Sequence, residues 1–121
     1  MEWFFVAEDN EVRKVGGVDP IETLKREDPR TKGATAIVFD CPDDNGAIVP
    51  AIAWVDRDAE LNNRRYNGLA SILCRMAVYG PVVFTGDNDG AGGSREIPDS
   101  LWEFFEEQCE PLVDDSEENS Q

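Results

Sequence analysis

Short apolar runs between turn-forming residues predict a series of strands. Trp3 to Ala7 is a continuous apolar run, and the polar turn after it is followed by a second run that can return as a hairpin. Asn45-Gly46 is a strong hairpin signal between two longer runs, the second of which contains Pro50 and is therefore expected at an edge or a bulge. The predicted strands are residues 3–7, 12–15, 34–39, 47–55 and 82–85.

Three segments carry helix signals instead. Asp19 can cap a short helix with Pro20 at its first position, and Asp28-Pro29 ends it. Apolar residues at helical spacing predict a main helix from Asn62 or Asn63 to about Tyr79. Pro98 introduces a last helix, in which Ser100 and Glu103 match a capping box.

The order of these elements predicts an α+β fold. We expect a single domain with a mainly antiparallel sheet of about five strands and two or three helices packed on one face. The globular domain is expected to cover residues 1–110. After Leu112 and Val113, every residue up to 121 is acidic or polar, so residues 111–121 are predicted to be a disordered acidic tail.

The negative charge is concentrated near the C-terminal end of this sequence. The formal net charge is −15, and residues 96–121 contribute −10 of it with no Lys or Arg. Residues 1–95 carry 16 acidic against 11 basic residues. An end of this kind repels nucleic acid and attracts basic surfaces, so we expect no direct binding of nucleic acid.

The composition excludes several kinds of chemistry. The chain contains no His, which removes the commonest general base, most zinc sites and every nucleophile that depends on a His. Cys41, Cys74 and Cys109 are widely spaced and odd in number, which favours reduced thiols over a disulfide framework. No signal peptide or membrane span is evident, so the expected location is the cytoplasm, and no cofactor is expected.

Two acidic turns resemble metal sites in part. Asp40, Asp43 and Asp44 cluster before a hairpin turn, where Asp is also a common turn former. Residues 86–90 resemble the start of a calcium loop, but Ala91 and Pro98 stand where that loop needs oxygen ligands. The sequence therefore predicts turns at both places and no metal site.

Asn63, Arg64 and Arg65 form the segment with the most unusual chemistry. At the start of the predicted main helix, two Arg would oppose the positive end of the helix dipole. Free backbone N–H groups beside Arg side chains can bind an anion, which makes these three residues a candidate anion or partner site. The alternative is that both Arg pair with the acidic residues that this chain has in excess.

One stretch of the chain also resembles a known family. The Asn-Arg-rich helix start at residues 62–68, the strand Gly80-Pro81-Val82-Val83-Phe84-Thr85-Gly86 and the segment Ile97-Pro98-Asp99-Ser100-Leu101 are similar to small proteins of a domain-of-unknown-function family carried by bacteriophages and plasmids. The resemblance covers about residues 35–105. It implies an accessory protein of a mobile element, without an assigned activity.

Charge and resemblance together lead to three hypotheses of function. The first is a non-enzymatic acidic protein of a phage or plasmid that binds and modulates a host or defence protein with a basic surface, including as a nucleic-acid mimic. The second is a phosphate or nucleotide binder that uses Arg64 and Arg65, and the third is a metal-dependent enzyme that uses Asp and Glu. For the first, the predicted contact residues lie on the last helix: Glu103, Glu106, Glu107 and Glu110.

Overall fold

The computed structural model describes residues 2–42, 48–87, 90 and 93–107, and it contains one five-stranded sheet with three helices. The strands are β1 (Glu2–Val6), β2 (Val12–Gly16), β3 (Ala34–Pro42), β4 (Ile48–Asp56) and β5 (Val82–Gly86). The helices are α1 (Pro20–Glu27), α2 (Gly68–Cys74) and α3 (residues 99–107). The strand order is β2-β1-β5-β4-β3, and every neighbouring pair is antiparallel. The predicted α+β class with an antiparallel sheet is confirmed.

The helices lie on both faces of the sheet rather than on one. Phe4 of β1 lies opposite Phe84 of β5, and both rings contact Phe105 of α3, with centroids 4.9 and 5.0 Å apart. The neighbouring residue Phe5 points to the other face, where Arg13 beside it forms an ion pair with Glu27 of α1. Successive strand residues alternate between faces, and β1 is buried at every position from Trp3 to Val6. Such a strand needs cover on both sides, which is why one layer of helices does not suffice.

Local capping signals place α1 where the sequence predicted it. The Asp19 carboxylate accepts a hydrogen bond from the backbone N–H of Ile21 at 2.9 Å, and Pro20 is the first helical residue. The helix ends at Asp28, whose backbone N–H donates to the carbonyl of Leu24. Leu24 is fully buried and anchors the helix to the sheet.

The predicted main helix is wrong at both ends. α2 begins after Asn67, which caps it by accepting from the backbone N–H of Ala70 at 3.1 Å. It ends at Arg75, whose φ of 57° is left-handed. Tyr66 and Tyr79 pair as an isolated antiparallel bridge on either side of α2, so neither residue is helical.

Two smaller predictions also need correction or refinement. Pro50 lies in β4, an internal strand of the sheet, so the edge expected at Pro50 is a local one, where β4 is paired with β3 alone. This residue lies opposite Asp40 of β3, beyond the point where the pairing of β4 with β5 ends at Ala51 and Gly86. The last helix includes residues 99 and 100, so Ser100 lies inside the first turn and not at the cap.

Some predictions fall outside the described residues. They include the acidic tail at residues 111–121, the hairpin turn at Asn45-Gly46, and residues 88 and 89 of the segment that resembles a calcium loop. Among the residues that are described, no helix is both long and apolar enough to span a membrane.

Candidate functional site

Arg64 lies in the segment before α2, and its side chain is completely buried. Nε donates to Asp56 at 2.9 Å, and Nη1 donates to Glu8 at 3.0 Å and to Asp28 at 2.9 Å. Nη2 donates to Asp28 at 3.3 Å and to the hydroxyl of Thr31 at 3.1 Å. These five contacts match the five N–H donors of a guanidinium group, so no donor of Arg64 remains for a ligand.

Asp56 is the most deeply buried of the three carboxylate partners of Arg64. Burial by itself raises the pKa of Asp56, but hydrogen bonds from Asn62, from the backbone of Asp58 and from Arg64 outweigh it and hold the pKa below its ordinary value. Burial likewise tends to lower the pKa of Arg64, but the surrounding carboxylates raise it. Both groups are therefore charged at neutral pH, as a buried ion pair requires.

The Arg64 cluster corrects the sequence-based hypothesis for this residue. Arg64 and Arg65 precede the cap residue Asn67 and so do not lie in the first turn of α2. Arg64 is paired with acidic residues from three separate parts of the chain, which for this one of the two Arg residues is the alternative that the sequence left open. A structural role explains why a cation stands at this point.

Asn63 and Arg65 remain exposed beside the cluster. Both line a groove of about 460 Å³, together with Arg13 and Arg30. Four carboxylates line the same groove: Glu8, Asp9, Glu27 and Asp28. Its three guanidinium groups are thus outnumbered by acids, and this mixed charge does not favour a simple anion.

α3 presents acidic residues on its outer side. Leu101 and Phe105 are buried against the sheet, whereas Glu103 and Glu107 are exposed. The two exposed carboxylates are four residues apart and therefore share one face of the helix. No ion pair of either is present within the described part of the chain.

Glu106 differs from these two residues because it already has a partner. Its carboxylate lies 2.8 Å from Nζ of Lys14 on β2, and the Lys14 ammonium sits 5.1 Å from the centre of the Trp102 ring. The hydrogen bond from Lys14 holds the pKa of Glu106 below its ordinary value. The predicted acidic face is therefore reduced to Glu103 and Glu107, and Glu110 lies outside the described residues.

The two described thiols are poorly suited to nucleophilic chemistry. Cys41 and Cys74 are both buried and free. Burial raises the pKa of the Cys74 thiol to about 11 and also raises that of Cys41. A thiol acts as a nucleophile only as its thiolate, so these two are inert near neutral pH.

The candidate metal turns can be followed only in part. Asp40 is exposed at the end of β3, and Asp43 and Asp44 lie outside the described residues. Within the residues that can be described, no group of three or more Cys, Asp or Glu side chains is placed to hold a metal ion.

The Arg64 cluster could have been predicted from two acidic residues in the sequence, although not from the hydrophobic periodicity. Asp28 stands at the C-terminal cap of α1, where the negative end of the dipole disfavours a carboxylate. An acidic residue in that position therefore indicates that a cation lies nearby in the fold. Asp56, directly after an apolar strand, is the second signal, since a carboxylate at the end of a buried strand also needs a partner.

Comparisons with protein-family models, with curated proteins and with solved structures found no match to this chain. The resemblance to the phage and plasmid family therefore stays a prediction. The function has to be argued from the charges and contacts described above.

Proposed function

We propose that this protein is a non-enzymatic acidic binding protein that docks on a basic protein surface through α3 and the acidic residues that follow it. The observation that carries the proposal is the orientation of α3. Its apolar side is fixed against the sheet by Phe105, which leaves Glu103 and Glu107 pointing outward. This acidic face lies within the most acidic stretch of the chain, residues 96–121.

The charge of this surface favours a basic protein as the partner. Residues 96–121 contain ten acidic residues and no base, so nothing in that stretch offsets the negative potential. A face of this kind speeds association with a basic protein and opposes association with nucleic acid. A protein groove that normally binds phosphates is one such surface, which makes mimicry of nucleic acid a specific form of the proposal.

The biological setting follows from the family resemblance. We propose an accessory role for a phage or plasmid in the cytoplasm of its host, where the partner is a host or defence protein. The inert thiols of Cys41 and Cys74, the two described cysteines, and the absence of His agree with binding rather than catalysis.

The test compares two charge-reversed variants in affinity capture from lysate of the host cell. Glu103→Lys with Glu107→Lys reverses the outer face of α3 and leaves the contact between Glu106 and Lys14 intact. Glu22→Lys with Glu60→Lys is the matched control, because both residues are exposed, lie away from α3 and change the net charge equally. The wild type and the control should capture the same protein, and the α3 variant should lose it.

Two results of this capture would contradict the proposal. If the α3 variant retained the same protein as the control, the interface would lie elsewhere. If the wild type captured no protein that the α3 variant failed to capture, the acidic face would not be a binding surface in that cell.

A second function, small-ligand binding, rests on the groove beside Arg65. Arg65 belongs to the predicted anion site and keeps an exposed side chain, and it lines this groove together with two further exposed residues, Arg13 and Arg30. A nucleotide that binds there should raise the melting temperature of the wild type and not that of Arg65→Gln. No shift with any nucleotide would remove this function.

A further inference from the structure

β3 forms one edge of the sheet, and its outer side has no strand partner among the described residues. It is nine residues long and pairs with β4 without interruption from Ala34 to Pro42. In an antiparallel edge strand, alternate residues point their backbone N–H and C=O groups away from the sheet. Such a row of unused groups is a template for another strand.

The two edges of the sheet are protected to different degrees. β2 has only five residues and carries Arg13 and Lys14, the kind of charged side chain that blocks strand addition. β3 has no charged residue and no Pro from Ala34 to Phe39, and its unbroken register contains no bulge. The longer edge is therefore the one left open to pairing.

Exposed apolar side chains flank this edge on both faces of the sheet. On one face, Val38 and Ile48 are 62% and 61% exposed. On the other, Ile37, Leu61 and Tyr79 line a cleft of about 350 Å³, and the Leu61 side chain is 83% exposed. Apolar surface on both sides of an open edge marks an interface with another protein.

We propose that the occupant is a second copy of this chain, joined by antiparallel pairing of β3 with β3 about a two-fold axis near Ile37. The charges at the two ends of the strand support self-pairing. Lys32 precedes β3 and is exposed, and Asp40 is exposed near its end. Antiparallel pairing places the basic start of each strand beside the acidic end of the other, so the same complementary contact forms twice.

The pairing also brings like faces together. With Ile37 on the axis, Ala36 lies opposite Val38 of the second copy on the same face of the sheet. The two five-stranded sheets become one continuous ten-stranded sheet, and Val38 is covered in both copies. In this register, Lys32 lies diagonally across from Asp40 of the second copy, on the same face and within reach of its long side chain, and burial of the apolar side chains supplies the affinity.

This dimer does not use the surface proposed for the basic partner. α3 packs on β1 and β5, and β4 separates β5 from β3. Both surfaces can therefore be occupied together. A dimer would present two acidic helices, which raises the apparent affinity for a partner with two basic sites.

The test is the molar mass of the full chain by sedimentation and light scattering, with salt at about 0.3 M to screen repulsion between acidic copies. We expect a dimer at about 100 µM and a dissociation constant on the order of micromolar. Val38→Lys puts a charge into the proposed interface and should weaken the dimer at least about tenfold. Val18→Lys is the matched control, since Val18 is 91% exposed, lies outside β3 and gains the same charge.

The outcomes separate the proposal from its alternatives. A wild type that stays monomeric at about 100 µM overturns self-pairing and leaves the edge to a strand of another protein. Equal dissociation constants for the Val38→Lys and Val18→Lys variants would place the dimer contact elsewhere. Circular dichroism verifies that Val38→Lys is folded.

Ala36→Lys, on the same exposed face, repeats the test at a second position. If a folded Ala36→Lys variant formed a dimer as strong as that of the wild type, this result would also overturn the proposal.

Discussion

Arg64 connects three segments that are far apart in the sequence. Its guanidinium group binds Glu8 after β1, Asp28 at the end of α1 and Asp56 at the end of β4. A buried charge is tolerated only while it keeps its partners, because an ion left alone in the interior loses its solvation without compensation. The residue that the sequence offered as a ligand site is thus explained by the packing of the fold.

The first prediction concerns the loss of this residue. Arg64→Met should lower the free energy of unfolding by about 3–5 kcal/mol, because it leaves three carboxylates without their cation. Arg65→Met is the matched control, and it should change stability by no more than about 0.5 kcal/mol because the Arg65 side chain is exposed. Urea denaturation measures both, and equal midpoints for the two variants would contradict a structural role for Arg64.

The second prediction concerns acid. Since the folded state holds the pKa of Asp56 below its ordinary value of 3.8, the ionised carboxylate stabilises the fold above about pH 4. That contribution is lost as pH falls through the lowered pKa. Asp56→Asn should therefore be less stable than the wild type at pH 7, and the difference should shrink below about pH 4. Urea denaturation across pH measures the difference, and a gap that stays constant down to about pH 2 would show that the charge of Asp56 is not what stabilises the fold.

At the scale of whole elements, local signals were reliable and distant ones were not. α1 follows from residues 19–29 alone, because its cap, its proline and its stop signal are neighbours in the chain. The start of α2 depends on Asn67, whose amide donates to the carbonyl of Gly80 at 2.9 Å and also to that of Val6. Neither contact is visible in the sequence around residue 67. The apolar spacing from Tyr66 onward therefore predicts one long helix, although only its middle is helical.

The third prediction tests this explanation of α2. Asn67→Ala removes the cap and leaves the buried carbonyl of Gly80 without its donor, so the free energy of unfolding should fall by about 2–4 kcal/mol. Asn63→Gly is the control at one of the two cap positions that the sequence predicted, Asn62 and Asn63. Asn63 has a φ of 52°, which Gly adopts readily, so that change should be neutral or slightly stabilising. If Asn63→Gly cost more than Asn67→Ala in thermal unfolding, the cap would have been assigned to the wrong residue.

At the scale of the whole molecule, the charge distribution was predictable and its internal pairing was not. The helical spacing of the acids on α3 predicted a common face, and Glu103 and Glu107 are indeed exposed there. Glu106 was expected on the same surface, yet it binds Lys14, which is far away in the chain and is brought close by the pairing of β2 with β1. The unbroken apolar run of β1 is a sequence signal for helices on both faces of the sheet. It can be interpreted only once the strands beside β1 are known.

Steering of a basic partner by the outer face of α3 can be measured as an association rate. The experiment measures how fast the captured protein associates with the wild type and with each of the two charge-reversed variants. Each rate is measured at several ionic strengths. The wild type and Glu22→Lys with Glu60→Lys should associate at similar rates that fall steeply as salt rises, because electrostatic steering is screened. Glu103→Lys with Glu107→Lys should associate at least about tenfold more slowly at low salt, with a weaker dependence on salt. Equal rates and equal salt dependence for the two reversed pairs would contradict steering by α3.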